Sequence, residues 1–221
     1  MLATFTDRSG GVSQGAFASF NLGDHVNDLP RDVQANREIL QSKYGAVQFM
    51  NQVHGSRIAI IESVTEEAPT ADALVTGIAG ITLAVMVADC IPLLLTSIEA
   101  VAAVHVGRRG LVNDVAIKTI EIMREMGASQ IRAELGPAIC GSCYEVSQEV
   151  QEEVLSLHPL ALAETSEGKC ALDLPKALKA ALSGAGISEI KDRQICTVES
   201  SDHFSYRRDG VTGRQVGLVS L

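Results

Sequence analysis

Tryptophan is absent from the sequence, and aromatic residues make up only 4% of it. A surface that binds single-stranded nucleic acid by stacking bases on aromatic rings therefore has little to build on. Positive charge is also scarce: 18 Lys and Arg face 27 Asp and Glu, a formal net charge of -9 at pH 7. So acidic a surface repels phosphate backbones and excludes broad electrostatic nucleic-acid binding. It leaves room for a small anion in a local basic pocket. Five cysteines in 221 residues, an odd count, do not form a disulfide framework. The opening MLATFTDRSGG lacks a basic segment followed by an apolar one, so no secretory signal is expected. Asp89 and Pro92 interrupt the hydrophobic stretch between Ile81 and Ile98, leaving strand-length pieces instead of a membrane span. The expectation is a reduced, cytoplasmic protein without membrane or nucleic-acid partners, whose thiols are free to act as ligands or nucleophiles.

Hydrophobic residues amount to 46% and charged residues to 20%, ample for a packed core. No linker, charge block or fixed-period repeat divides the chain, which reads as one domain over residues 1–221. Asp28-Leu29-Pro30 looks like a helix entry, and the helical spacing that follows ends near Gly45. Strands are expected at 47–51, 57–61, 73–75, 82–87, 92–96 and 101–106, with Ser97–Ala100 a hairpin-sized connection between the last two. Beyond Gly110 the apolar period becomes helical over 112–126. A strand at 131–135, helices near 146–157 and 175–183, and a strand at 189–196 complete the pattern. Strands that follow one another without intervening helices exclude a doubly wound parallel sheet. They predict an α+β (mixed α/β) fold, a single compact domain with a mixed β-sheet covered by helices.

The informative chemistry lies between residues 51 and 110. His54 sits in NQVHG, Cys90 in ADCIP and His105 in AVHVG, each at the end of an expected strand. If neighbouring strands bring them together, two imidazoles and a thiolate suit Zn²⁺. Three protein ligands leave a fourth position open, the catalytic rather than the structural arrangement, and a water there has a pKa near ~7. The same residues also allow Cys90 to be a nucleophile, with His54 or His105 as base and Asp72 or Asp89 as orienter. A third possibility is simple burial of the thiol and the imidazoles.

Gly107-Arg108-Arg109-Gly110 follows His105 and opens a helix, so Arg109 is a candidate phosphate ligand. A second basic cluster, Ser205-Tyr206-Arg207-Arg208-Asp209-Gly210 with Gly213-Arg214, offers Arg208 for the same task. As an alternative, its Asp209-Gly210 marks the turn of a solvated hairpin. The glycine-rich loop from Gly136 to Glu145 is suited to lining a pocket. Its C-x₂-C pair, Cys140 and Cys143, lacks the second pair that a zinc ribbon needs. Cys170 and Cys196 read as core thiols, and His25 and His158 have no supporting context.

Taken in order, NQVHG, ADCIPLLL, AVHVGRRG, GPAICGSCYEV and FSYRRDGVTGRQ resemble the YfiH family. Its members are also called laccase-domain proteins, peptidoglycan-editing factor or FAMIN-type purine nucleoside enzymes. NLGDHVNDLPRDVQANRE and ADALVT extend the likeness over most of the chain. The resemblance implies zinc held by His54, Cys90 and His105, with phosphorolysis of adenosine, inosine and methylthioadenosine and deamination of adenosine. Asp72, Cys140, Tyr144 and Glu145 are then candidates for orienting ligands or substrate, with Arg109 and Arg208 for phosphate. The family loop usually written HAGWRG here has Val106 and Arg108 in place of Ala and Trp. The older family label, copper-dependent polyphenol oxidase, stands as an alternative with copper in the same site. Five histidines are few for a multicopper cluster, in which each ion wants about two or three imidazoles or a thiolate. A Cys-nucleophile hydrolase acting in peptidoglycan editing is a further alternative. Monomer and homodimer both remain open.

Overall fold

The computed structural model describes residues 1–221. In chain order its first half comprises β1 (Leu2–Phe5), α1 (Pro30–Tyr44), β2 (Ala46–Gln48), β3 (Ile58–Ile60), β4 (Ala73–Thr76), β5 (Ile81–Val87), β6 (Ile91–Thr96) and β7 (Val101–Val106). The second half adds α2 (Arg108–Val112), α3 (Val115–Glu125), β8 (Arg132–Leu135), α4 (Gln148–Leu155), β9 (Leu162–Glu164), β10 (Cys170–Leu172), α5 (Leu174–Gly184), β11 (Ile190–Asp192), α6 (Tyr206–Asp209) and β12 (Gln215–Ser220).

The strands form two main sheets. One has the order β1-β12-β5-β2, the other β11-β8-β6-β7-β4-β3, and β9 and β10 make a separate ribbon. Both main sheets are mixed: β2 and β5 run parallel while β12 is antiparallel to β5, and β3–β4 and β8–β11 are the parallel pairs of the larger sheet. The expected mixed α/β domain is thus present, built on two sheets.

Period-two side-chain alternation explains the layering. Leu83, Val85 and Val87 of β5 and Leu94 of β6 meet in a core between the sheets. Ala84 and Met86 point the other way, onto Leu40 of α1. Leu93 and Leu95 pack with Ile120 of α3, Val154 of α4 and Leu178 of α5 on the far side of the larger sheet. The order is helix, sheet, sheet, helices. Strands buried on both faces read as continuous apolar runs, which is why this stretch looked membrane-like. Burying one Leu side chain is worth roughly 1.5–3 kcal/mol, so the register of these strands is strongly fixed.

Several sequence expectations need correction. The strands at both chain ends, β1 and β12, were not anticipated, nor were β9 and β10. They pair residues far apart or are only three residues long. The helix expected over 112–126 is α3, which starts only at Val115; Val112 ends the short α2, and the two are separated where Asp114 adopts a left-handed φ of 56°. The strand expected over 189–196 stops at Asp192, since Gln194 also has positive φ, 53°. Asp209-Gly210 ends α6 instead of turning a hairpin. The Ser97–Ala100 connection is the expected hairpin, closed by the Ser97 N–H on the Ala100 carbonyl at 2.9 Å.

Candidate functional site

The register of the larger sheet explains how the three ligand-type residues meet. β4 pairs with β7 so that Ala73 faces Val104, and the next step of the ladder sets Asp72 beside His105. The His105 N–H donates to the Asp72 carbonyl at 2.8 Å. Pro92 of β6 lies opposite His105 on the other side, which brings the preceding Cys90 to the same end of the sheet. His54 arrives from the loop after the Asn51–Thr70 bridge.

One ligand atom each from His54, Cys90 and His105 lies within 4.8 Å of the others. The Cys90 Sγ is 3.8 Å from His54 Nε2, and the two imidazoles meet edge to face with centroids 4.6 Å apart. His105 and Asp72 are buried, Cys90 is half-buried and His54 is exposed, so one side of the cluster faces solvent. Gly107 closes the other side. A Cβ at this position would stand 3.0 Å from Cys90 Sγ and 3.2 Å from His54 Cδ2.

Asp72 organises the cluster. Its Oδ1 accepts from the His54 N–H and from His105 Nδ1–H, each at 2.9 Å, and its Oδ2 accepts from the Gly55 N–H at 2.7 Å. These bonds hold His54 at a φ of 58°, a left-handed conformation that costs a non-glycine residue energy. They also leave His105 Nε2 as the ring atom free to face Cys90. Burial pushes the His105 imidazole down, but the Cys90 thiolate and the Asp72 carboxylate outweigh it and raise the imidazole to about 9. Burial alone would raise the Cys90 thiol. The His105 charge, with hydrogen bonds from both imidazoles, brings it down to about 6. The Cys90 shift favours the thiolate that metal ligation requires, whereas His105 must give up its Nε2 proton to act as a ligand.

Asp89 plays a matching part on the other flank, at a φ of 94°. Its Oδ1 accepts from the Thr197 hydroxyl at 2.6 Å, and its Oδ2 accepts from the Arg207 N–H at 2.7 Å. The C-terminal segment is thereby tied to the loop that carries Cys90. Gln52 anchors the His54 loop to β5, donating to the Met86 carbonyl at 2.7 Å and accepting from the Met86 N–H at 2.8 Å.

A cavity of about 450 Å³ opens over the cluster. Apolar and aromatic walls come from Met86, Val87, Ile139, Tyr144 and Tyr206, and its cationic side chains are Arg207 and Arg214. The Arg207 guanidinium lies 5.1 Å from the Tyr144 ring centre and donates to the Glu145 carbonyl at 2.8 Å. Burial pushes Arg214 below its usual value, with the Cys90 and Asp89 charges opposing the shift. His25, which had no sequence context, also lines the cavity.

Of the residues singled out in the sequence, His54, Asp72, Cys90, His105 and Tyr144 come together here. The others lie elsewhere. Arg109 is exposed on α2 and does not line the cavity. Arg208 donates to the carbonyls of Thr197, Ser200 and His203 and pairs with Asp209 at 2.8 Å, so its guanidinium braces a loop. Glu145 pairs with Lys169 at 3.2 Å, and Cys140 lines a separate cavity. Arg108, in the position of the family tryptophan, pairs with Glu153 at 3.1 Å. The sequence alone does not single out Gln52, Arg207 or Arg214 as site residues. Arg207 and Arg214 belong to the C-terminal basic cluster, but the neighbours Arg207 and Arg208 on α6 point about 100° apart. Which one faces inward is set by docking of the turn.

Residues 2–221 match the family model described as "Multi-copper polyphenol oxidoreductase laccase". A purine nucleoside phosphorylase of Streptomyces coelicolor is 44% identical over 227 residues, covering 98% of this chain and 94% of the relative. A Neisseria meningitidis protein of family DUF152 superposes with a TM-score of 0.92 at 38% identity, covering 99% of this chain and 93% of that one. The Bacillus licheniformis hypothetical protein YfiH gives a TM-score of 0.90 at 30% identity, covering 99% of this chain and 92% of the other. No helix is long and apolar enough to cross a membrane.

Proposed function

This chain belongs to the multi-copper polyphenol oxidoreductase laccase family, and from that premise we propose that it is a zinc-dependent purine nucleoside enzyme. Its reactions are phosphorolysis of adenosine, inosine and methylthioadenosine, and deamination of adenosine. The observation that carries the reading is the convergence of His54, Cys90 and His105 beneath a cavity that also holds two arginines. The names of the curated relatives supply the substrate class.

The donor set fits one zinc ion: two imidazoles and a thiolate within reach of one another, the buried imidazole oriented by a carboxylate, and an open face. Such an ion, when bound, polarises substrate groups and lowers the pKa of water. The chain's own residues do the rest. The aliphatic and aromatic walls accept the faces of a purine, and about 450 Å³ is within the usual range of roughly 300–1,000 Å³ for small-molecule pockets. Arg207 and Arg214 attract and orient phosphate. In phosphorolysis a phosphate oxygen bonds to ribose C1′ as the C1′–N9 bond breaks, the electron pair stays on the purine, and the base takes up a proton. In deamination water adds at C6 and ammonia leaves. Asp72 keeps the His105 proton on Nδ1, and Asp89 keeps the Arg207 segment against the cavity.

A multicopper oxidase requires more donors. Of the five histidines, His25, His54 and His105 line the cavity, while His158 and His203 do not. Incubation of the zinc-loaded protein with adenosine, with and without phosphate, is the test. Adenine with ribose 1-phosphate in the first mixture and inosine in both are expected. Unchanged adenosine together with dioxygen uptake on phenols would replace the proposal with the oxidase.

A further inference from the structure

A second cluster of soft ligands lies outside the cavity just described. The sulfurs of Cys140, Cys143 and Cys196 and a carboxylate oxygen of Glu199 are all within 4.8 Å of one another. Cys140, Cys196 and Glu199 line a separate cavity of about 360 Å³. We propose that these four residues form a closed structural zinc site.

The backbone brings the two segments together without help from a metal. The Ala138 N–H donates to the Ile195 carbonyl and the Thr197 N–H to the Ala138 carbonyl, each at 3.1 Å. The Cys140 N–H points at Cys196 Sγ at 3.4 Å, and Cys143 Sγ is 3.8 Å from Glu199 Oε1. A turn in which the Cys143 N–H donates to the Cys140 carbonyl at 3.2 Å presents both thiols of the C-x₂-C pair on one side. Tetrahedral zinc with sulfur ligands at about 2.3 Å has ligand–ligand edges of about 3.8 Å, so the four donors need only small inward movements. Three thiolates select a thiophilic ion, and four protein donors leave no position for substrate.

Each thiol gives its proton to solvent on binding, and no electron transfer is involved. The cluster becomes net negative. Lys179 lines the same cavity but is paired with Asp192 at 2.6 Å, and Arg208, paired with Asp209, braces the Cys196 loop through the Thr197 and Ser200 carbonyls. The cluster joins the segment leading into Tyr144 to the segment that Asp89 ties to Arg207, two walls of the first cavity. Its role is to clamp those walls.

The test is zinc content per chain, measured by mass spectrometry on full-length protein loaded with zinc under reducing conditions and desalted. Cys143→Ser is expected to lose one equivalent relative to wild type. Cys90→Ala is expected to keep one, and Cys90→Ala/Cys143→Ser to keep none. Equal zinc in wild type and Cys143→Ser, or none in Cys90→Ala, overturns the proposal. Loss of one of two equivalents on Cys90→Ala bears only on the first centre, so the two readings fail separately. Should Cys143→Ser not fold, cobalt added to Cys90→Ala protein decides. Intense sulfur-to-cobalt charge-transfer absorption is expected, and its absence, or a disulfide among the three cysteines in the reduced preparation, overturns the assignment.

Discussion

Replacing Asp72 by Asn tests the organisation of the proposed metal centre with almost no change of shape. The side chain is fully buried and every oxygen is used. If the amide nitrogen takes the place of Oδ2, it faces the Gly55 N–H at 2.7 Å and the Val53 N–H at 3.4 Å. If it takes the place of Oδ1, it confronts the His54 N–H and His105 Nδ1–H, both at 2.9 Å. Donor meets donor either way. The first orientation is the cheaper one because it keeps both histidine contacts. It still loses one hydrogen bond to a charged acceptor, roughly 1.5–3 kcal/mol, and orphans a buried N–H at roughly 1–3 kcal/mol. These overlap, so an overall loss of about 2–4 kcal/mol is expected in urea unfolding of the metal-free protein. Zinc affinity, read by competition with a chromophoric chelator, should fall roughly 10–100-fold, the usual effect of removing a carboxylate behind a ligating histidine. A folded Asp72→Asn protein with wild-type urea midpoint and wild-type zinc affinity would refute the role given to this carboxylate.

Arg207→Ala should raise the KM for phosphate several-fold in steady-state phosphorolysis with little loss of stability. Arg208→Ala should do the reverse, costing roughly 2–4 kcal/mol in thermal or urea unfolding as its carbonyl and Asp209 bonds are lost. Gly107→Ala forces the added methyl against Cys90 and His54, and should weaken zinc binding by about 1–3 kcal/mol in the chelator assay. Burial pushes the His203 imidazole below its ordinary value, with the Asp7 and Asp202 charges opposing the shift. The unfolded chain therefore binds a proton at a higher pH than the folded one. Its contribution to stability is complete above the ordinary histidine value of about 6.5 and is lost as pH falls through the lower folded value. Urea midpoints measured across that window should slope less in His203→Gln than in wild type.

The central strands were legible in the sequence because β5, β6 and β7 are apolar on both faces and bounded by turn residues. α1 was legible from its entry proline and its terminal glycine. β1 and β12 were not: Gly217 interrupts the apolar pattern of β12, and what defines both strands is their pairing across almost the whole chain. Within the site, the three ligand-type residues stood out by chemistry and by position at strand ends, although His54 and Cys90 are 36 residues apart. The sequence offers Arg208 for phosphate, yet it is Arg207 that lines the cavity, because their roles follow from how α6 docks on Asp89. Cys196 read as an ordinary core thiol because its neighbour Cys140 lies 56 residues earlier. The bridge that joins them exists only in three dimensions.

The position of β12 has a further consequence for how the molecule is made. In its sheet β12 separates β1 from β5, so β1 has no partner there until β12 has been synthesised. The peptide N–H of Arg207, which fills one side of Asp89, likewise arrives late. A nascent chain stalled ahead of α6 can assemble the helix-covered larger sheet but leaves β1 unpaired and the pocket without Tyr206, Arg207 and Arg214. Truncation ahead of β12 should therefore yield an aggregation-prone product, read by light scattering against the full chain.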